Sequence, residues 1–176
     1  MLKKPYRIRK ARLDDLPLLG AVEAEAGKQF ADVGLGGIGE GDSTSIEDFN
    51  DCHAAGLLWV AVDGSDTPVG FAYVDIISRQ PHLDELDVHP DHGRRGIGAE
   101  LVRAVIDWAR ENGYTRLTLT TFRDVPWNLP FYAKLGFRVL GEDELTPELR
   151  QIVDEETGRG LPPEKRVVMQ HDLKLQ

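Results

Sequence analysis

Apolar and polar positions change their period several times along the 176-residue chain, and each change marks an element. Tyr6, Arg7, Ile8 and Arg9 alternate as a half-buried strand does. Leu16, Leu19, Val22 and Ala26 then share one helical face behind Asp14 or Asp15 as cap, with Gly27 as its end. Residues 28–42 hold Gly34, Gly36, Gly37, Gly39 and Gly41 and read as loop, either a lid ordered by a ligand or a solvated connector. Thr44, Ser45, Ile46 and Glu47 read as a capping box for a short helix carrying Ile46, Phe49 and His53 on one face and ending before Gly56. Two apolar runs, 57–62 and 69–74, flank Asp63, Gly64, Ser65 and Asp66 and predict an antiparallel hairpin whose second strand opens at Pro68.

In the second half a strand around residues 83–89 leads through a Gly/Arg turn into a helix. Leu101, Val102, Val105, Trp108 and Ala109 line one face of that helix, and Asn112 and Gly113 stop it. Residues 115–121 form the next strand, so strand, helix and strand make a crossover that predicts parallel neighbours. A short helix over 126–135, a break at Gly136 and a strand over 137–140 follow. An acidic insertion, about 141–165, contains a helix capped by Thr146 with Pro147 in its first turn and Leu149, Ile152 and Val153 together. A last strand, 166–173, returns to pair with the preceding one. The pattern is α/β, a mixed sheet with helices on both faces, in a single domain over 1–176.

Composition narrows the function. A formal charge of -9 argues against general binding to nucleic acid or anionic membrane and suits a cationic substrate. Cys52 is the only cysteine, which excludes an internal disulfide, and no N-terminal apolar run reads as a signal or a span, so a cytoplasmic protein is expected. Cys52 reads as a small buried apolar residue. His89 and His92 have metal-like spacing, but they straddle Pro90 and no carboxylate or Cys set completes a site, so no metal is expected.

The chemistry concentrates at Gly93, Arg94, Arg95, Gly96, Ile97, Gly98 and Ala99. Glycines before a helix let backbone approach an anion, and the first N–H groups of the helix point at it. Neither the dinucleotide fingerprint nor the nucleoside-triphosphatase loop is present. The run resembles the Gln/Arg-x-x-Gly-x-Gly/Ala loop of the GNAT acetyltransferases, preceded by Glu85, Leu86, Asp87, Val88, His89 and Pro90 as in their central strand. Asn128 to Phe137, with Tyr132, Leu135 and Gly136, resembles the family's second signature. Gly93 stands where the family has Gln or Arg, which displaces the basic side chain to Arg94 and Arg95.

The resemblance implies the GNAT fold, about six or seven strands with splayed central strands, and acetyl-CoA as acetyl donor. It also implies pantetheine pairing along Asp87, Val88 and His89, pyrophosphate over 93–99, and a cofactor contact from Asn128. Glu85 matches the family's frequent general base and Tyr132 its general acid. Period-two alternation puts Glu85 and Asp87 on one face, opposite Leu86 and Val88, so if Leu86 and Val88 point into the core the two carboxylates point to the cleft. Each residue has a plainer reading: Glu85 as a salt-bridged strand carboxylate, Tyr132 as an aromatic packed on the sheet, Asn128 as a helix cap, Arg94 and Arg95 as solvated charges. Trp127 and the acidic Glu40 and Asp42 are candidate contacts for a cationic acceptor. His53 and His82 stand open between accessory bases and packing.

The function so implied is N-acetyl transfer to a primary amine of a small molecule or peptide by direct attack in a ternary complex. The protein is expected as a monomer or homodimer. Two rivals are a non-catalytic acyl-CoA-binding or sensing domain and an interaction module built on the acidic insertion.

Overall fold

The structure, a computed structural model, describes residues 5–33 and 43–173. Residues 34–42, which hold most of the glycine-rich loop with Glu40 and Asp42, lie outside the described residues. Seven strands form one sheet in the order β1-β2-β3-β4-β5-β7-β6: β1 (Arg7–Lys10), β2 (Leu58–Val62), β3 (Pro68–Ile77), β4 (Gln80–Val88), β5 (Arg116–Phe122), β6 (Arg138–Val139) and β7 (Arg166–Asp172). The crossover from β4 to β5 gives the expected parallel pair, and its ladder is short: His82↔Thr118 and Leu83↔Leu119. The neighbouring pairs β1–β2, β2–β3, β5–β7 and β6–β7 are antiparallel, so the sheet is mixed. Among the described residues no helix is long and apolar enough to cross a membrane.

The chain divides into two compact units. The first holds residues up to Val74 together with Glu85–Val105. Its core joins α1 (Leu16–Gly27) and α2 (Ile46–Ala54) to the first hairpin through Leu16, Leu19, Val22, Phe49, Leu58, Val60, Val62 and Phe71, with Cys52 packed against it. The four residues of the predicted α1 face are the four it buries. Asp15 precedes α1 without capping it, because the preceding turn Leu13–Asp15 is already helical. Its carboxylate accepts the Arg12 N–H at 2.7 Å and pairs with Arg9 at 2.6 Å. In α2 the capping box falls one residue later than the sequence suggests, on Ser45 and Asp48, because Thr44 is drawn off to the carboxylate of Glu23. Ile46 is correspondingly exposed, and Phe49 alone carries the buried face of α2.

The second unit holds Asp75–Asp84 and the chain from Ile106 on. A two-residue turn at Ser78 and Arg79, both with positive φ (50° and 64°), reverses β3 into β4. Such a turn normally recruits Asn or Gly, which is why no turn signal marks it. α5 (Pro147–Gly158) is capped by Thr146, whose hydroxyl accepts the Leu149 N–H at 3.3 Å. Leu149 packs with Leu140 and Val168, flanked by Leu145, Ile152 and Val153. The acidic insertion is therefore a helix tied to β7, and Glu156 makes a buried ion pair with Arg166 at 2.7 Å and also bonds Thr120.

Candidate functional site

In the first unit, β4 runs into a 3-10 turn, Pro90–His92, and then through residues 93–96 into α3 (Ile97–Glu111). His89 fixes the entry: its N–H donates to the Val69 carbonyl at 2.9 Å, and its Nδ1 accepts the Asp91 N–H at 3.2 Å. Gly93 donates to the Pro90 carbonyl at 2.9 Å, and a Cβ there would lie 3.1 Å from the same oxygen. A side chain at Gly93 would thus sit tight against the Pro90 carbonyl, while the backbone there (φ -61°, ψ 162°) is one that any residue adopts. Arg94 (φ 57°) and Gly96 (φ 85°) are both left-handed. This twist precedes the free N–H groups that open a 15-residue helix, whose first backbone bond of the α type runs from the Glu100 N–H to the Gly96 carbonyl at 3.1 Å. N–H groups at such a helix start attract anions.

The two arginines differ. Arg95 donates to the Tyr6 hydroxyl at 2.9 Å and to the Asp91 carbonyl at 3.2 Å. Arg94 is exposed and makes no hydrogen bond or ion pair among the described residues. Ile97 is 1% exposed, so only its backbone is available to a ligand, while Gly98 and Ala99 are half-buried. A helix start with N–H groups of this kind beside an exposed guanidinium can receive an anion.

On β4 the buried residues are Pro81, His82 and Leu83, whereas residues 85–89 are all half-buried. Burial in β4 ends at Leu83, so Leu86 and Val88 are half-buried rather than core residues. Backbone approach fixes this segment instead, since a Cβ on Gly70 would stand 2.8 Å from the Asp87 carbonyl and 3.2 Å from Val88 Cγ2. Glu85 and Asp87 share a face by the period of the strand. Burial first, and then the negative charge of Glu23, push the Asp87 carboxyl up to about 8. Glu23 in turn accepts the Thr44 N–H at 3.0 Å and its hydroxyl at 3.1 Å.

In the second unit, Asn128 begins α4 (Leu129–Lys134). Its side chain makes no capping bond; its carbonyl accepts the N–H groups of Phe131 and Tyr132 at 2.9 and 3.1 Å. The capping reading of that side chain is thus removed. Tyr132 is half-buried, edge-on to Phe131 (5.0 Å between centroids) and to Phe137 (5.8 Å). Gly136 (φ 90°) closes the helix as the sequence indicates, with the Phe137 N–H returning to the Tyr132 carbonyl at 3.1 Å. Trp127 is 41% exposed.

Other candidates resolve as structure. His82 is 1% exposed and its Nδ1 bonds the Thr118 hydroxyl at 2.9 Å, so it is a packed histidine. His92 Nδ1 bonds Tyr6 at 2.9 Å, and its ring meets that of His89 edge-on at 5.8 Å. Sequence reading missed Tyr6 and Glu23 as neighbours of the site. Their partners lie far along the chain, and neither stands in a local motif.

A family model described as "Acetyltransferase (GNAT) family" matches residues 31–137. The peptidyl-lysine N-acetyltransferase YjaB of Escherichia coli (strain K12) is 38% identical over 88 residues, covering 50% of this chain and 54% of that protein. The chain thus spans about half the length of that curated relative. The PaiA N-acetyltransferase of Thermoplasma acidophilum, solved with coenzyme A, superposes with a TM-score of 0.70 at 20% identity, covering 95% of this chain and 98% of that one. N-acetylglutamate synthase of Neisseria gonorrhoeae gives 0.72 at 22% identity over 98% of this chain and 36% of its own. At these identities the structural likeness is one of fold.

Proposed function

Because the chain belongs to the acetyltransferase (GNAT) family, we propose that it transfers the acetyl group of acetyl-CoA to a primary amine, by direct attack in a ternary complex. Acetyl-CoA supplies a thioester whose acyl carbon is open to an amine nitrogen. The observation that carries the reading is the turn 93–96, where left-handed Arg94 and Gly96 lead into the free N–H groups of α3. Backbone N–H groups of 96–99 hold the pyrophosphate, and Arg94 adds charge without giving up another partner. Asp87, Val88 and His89 offer backbone to the pantetheine arm, and the family resemblance assigns a cofactor contact to Asn128, whose side chain makes no capping bond.

Glu85 takes the proton that the amine must lose, directly or through a water, as the C–N bond forms. Tyr132 gives its hydroxyl proton to the sulfur as the C–S bond breaks. An acidic chain and a relative named as a peptidyl-lysine acetyltransferase both favour a lysine-like cationic acceptor, in a peptide or a small molecule. Asp87 supports a second reading of the base. With its carboxyl pushed up to about 8, it is mostly protonated at neutral pH and becomes a base only in the alkaline range.

Thiol release from acetyl-CoA with a panel of lysine peptides and small amines tests the proposal. Tyr132→Phe should lower kcat by about 100-fold or more while leaving the Kd for acetyl-CoA within about twofold. Glu85→Gln should lower kcat at neutral pH. If Asp87→Asn alone removes the alkaline limb, the base is Asp87. Undiminished turnover in Tyr132→Phe would refute the acid assignment, and cofactor binding without turnover on any amine would favour the sensing domain.

A further inference from the structure

The hydroxyl of Tyr6 bridges the two ends of the turn that the proposed function uses. Arg95 Nη1 donates to it at 2.9 Å, and the same oxygen lies 2.9 Å from His92 Nδ1. Arginine has only donors, so the Tyr6 oxygen accepts from Arg95, and a chain of bonds links Arg95, Tyr6 and His92. The ring adds to the clasp: it meets His92 edge-on at 5.7 Å and 89°, and the Arg95 guanidinium lies 5.8 Å from its centroid. Arg95 is further held by the Asp91 carbonyl at 3.2 Å.

What lies between these two anchors is strained. Arg94 has φ 57°, a conformation that L-residues with a Cβ avoid and keep only where their surroundings over-determine it. Arg94 has no hydrogen bond of its own among the described residues, so the restraint comes from either side of it. Tyr6 is itself well placed to supply one. It immediately precedes β1, which is in register with β2 from Arg7↔Val62 and is fastened to Asp66 by Arg7 and Arg9, with Arg12 just beyond.

We propose that Tyr6 is a positioning residue for the pyrophosphate-binding turn: its hydroxyl, bonded on both sides of Gly93 and Arg94, sets the backbone that presents the N–H groups to the cofactor. It also assigns the two arginines different work, Arg95 to holding the turn and Arg94 to meeting the phosphate. The proposal rests on the acetyl-CoA reading for its ligand, and on the turn's own geometry for the clasp.

Tyr6→Phe in the full chain keeps the ring contacts and removes only the hydroxyl. Calorimetry should show the Kd for CoA rising about tenfold, equivalent to about 1.4 kcal/mol. The Kd for S-acetylpantetheine, which has the same thioester end and no phosphates, should not change. Amide exchange by NMR should quicken at residues 93–96 and not at 101–105. A double variant, Tyr6→Phe with Arg95→Gln, should weaken CoA no more than the worse single change. An unchanged CoA Kd, equal weakening of both ligands or full additivity would overturn the proposal. If the unmutated protein binds no CoA, the acetyl-CoA reading fails by itself. Exchange at 93–96 then still decides the clasp: unchanged rates in Tyr6→Phe overturn it, and faster rates sustain it.

Discussion

Asp87 is a carboxylate whose ionisation the fold opposes, through burial first and the neighbouring charge of Glu23 second. Unfolded, it titrates near 3.8; folded, at about 8. Between these values the folded chain keeps a proton that the unfolded chain releases, so stability falls as pH rises, with no loss below 3.8 and the full loss above 8. Each pH unit in that window is worth about 1.4 kcal/mol, which sums to about 4 kcal/mol at pH 7. That figure is a ceiling, because Asp87 is half-buried and water that reaches it screens part of the effect. Asp87→Asn keeps the shape and removes both the titration and the repulsion on Glu23. Urea unfolding followed by tryptophan fluorescence, at several values from pH 4 to pH 8.5, should show the variant gaining steadily on the unmutated protein as pH rises. Near pH 4 the two should nearly coincide; at pH 8 the variant should lead by several kcal/mol, with about 2–4 °C in Tm for each. A constant difference across the range, or a lead below about 1 kcal/mol at pH 8, would refute the reasoning.

Two further changes probe the frame around the site. Gly70→Ala places a Cβ 2.8 Å from the Asp87 carbonyl, and since backbone cannot swing aside it should cost about 1–3 kcal/mol. A Tm lowered by roughly 2–12 °C would follow, whereas an unchanged Tm would contradict the close approach. Glu156→Leu strands Arg166, whose side chain is only 10% exposed, and should cost about 3–5 kcal/mol in denaturant unfolding. Adding Arg166→Met should recover most of that loss, and a silent single change would show that the pair does not clamp α5.

Legibility in the sequence followed the range of the interaction. The buried face of α1, the Thr146 cap, the apolar cluster of α5 and the glycine end of α4 are set by residues within a few positions of each other, and all stand as read. The capping box of α2 slipped by one residue because Thr44 bonds Glu23, 21 positions away. Alternation set Glu85 and Asp87 opposite Leu86 and Val88, yet strand period says which residues share a face and not how deep that face lies, and both apolar residues are half-buried. The turn at Ser78 and Arg79 carried no glycine to announce it. Of the candidate site, the phosphate turn was visible as a motif. The separation of Arg94 from Arg95 was not, because it depends on a tyrosine 89 positions before Arg95. The pairing of Glu156 with Arg166 was hidden because the partners stand ten positions apart on different elements, Glu156 within a run of acidic residues.

Asp66 receives Arg7, Arg9 and Arg12 on one carboxylate, at 2.7, 3.1 and 2.7 Å. Such a hub tolerates drift unequally. Arg7 or Arg12 can be lost while two others still pin the N-terminal strand to the hairpin turn, so those two positions are free to vary one at a time, whereas Arg9 also holds the buried Asp15. Asp66 has no substitute: replacing it leaves three like charges facing one another, and its left-handed backbone (φ 62°) restricts what could stand there instead. Among descendants of this chain, Arg7 and Arg12 should therefore scatter while the single acid to which they point persists.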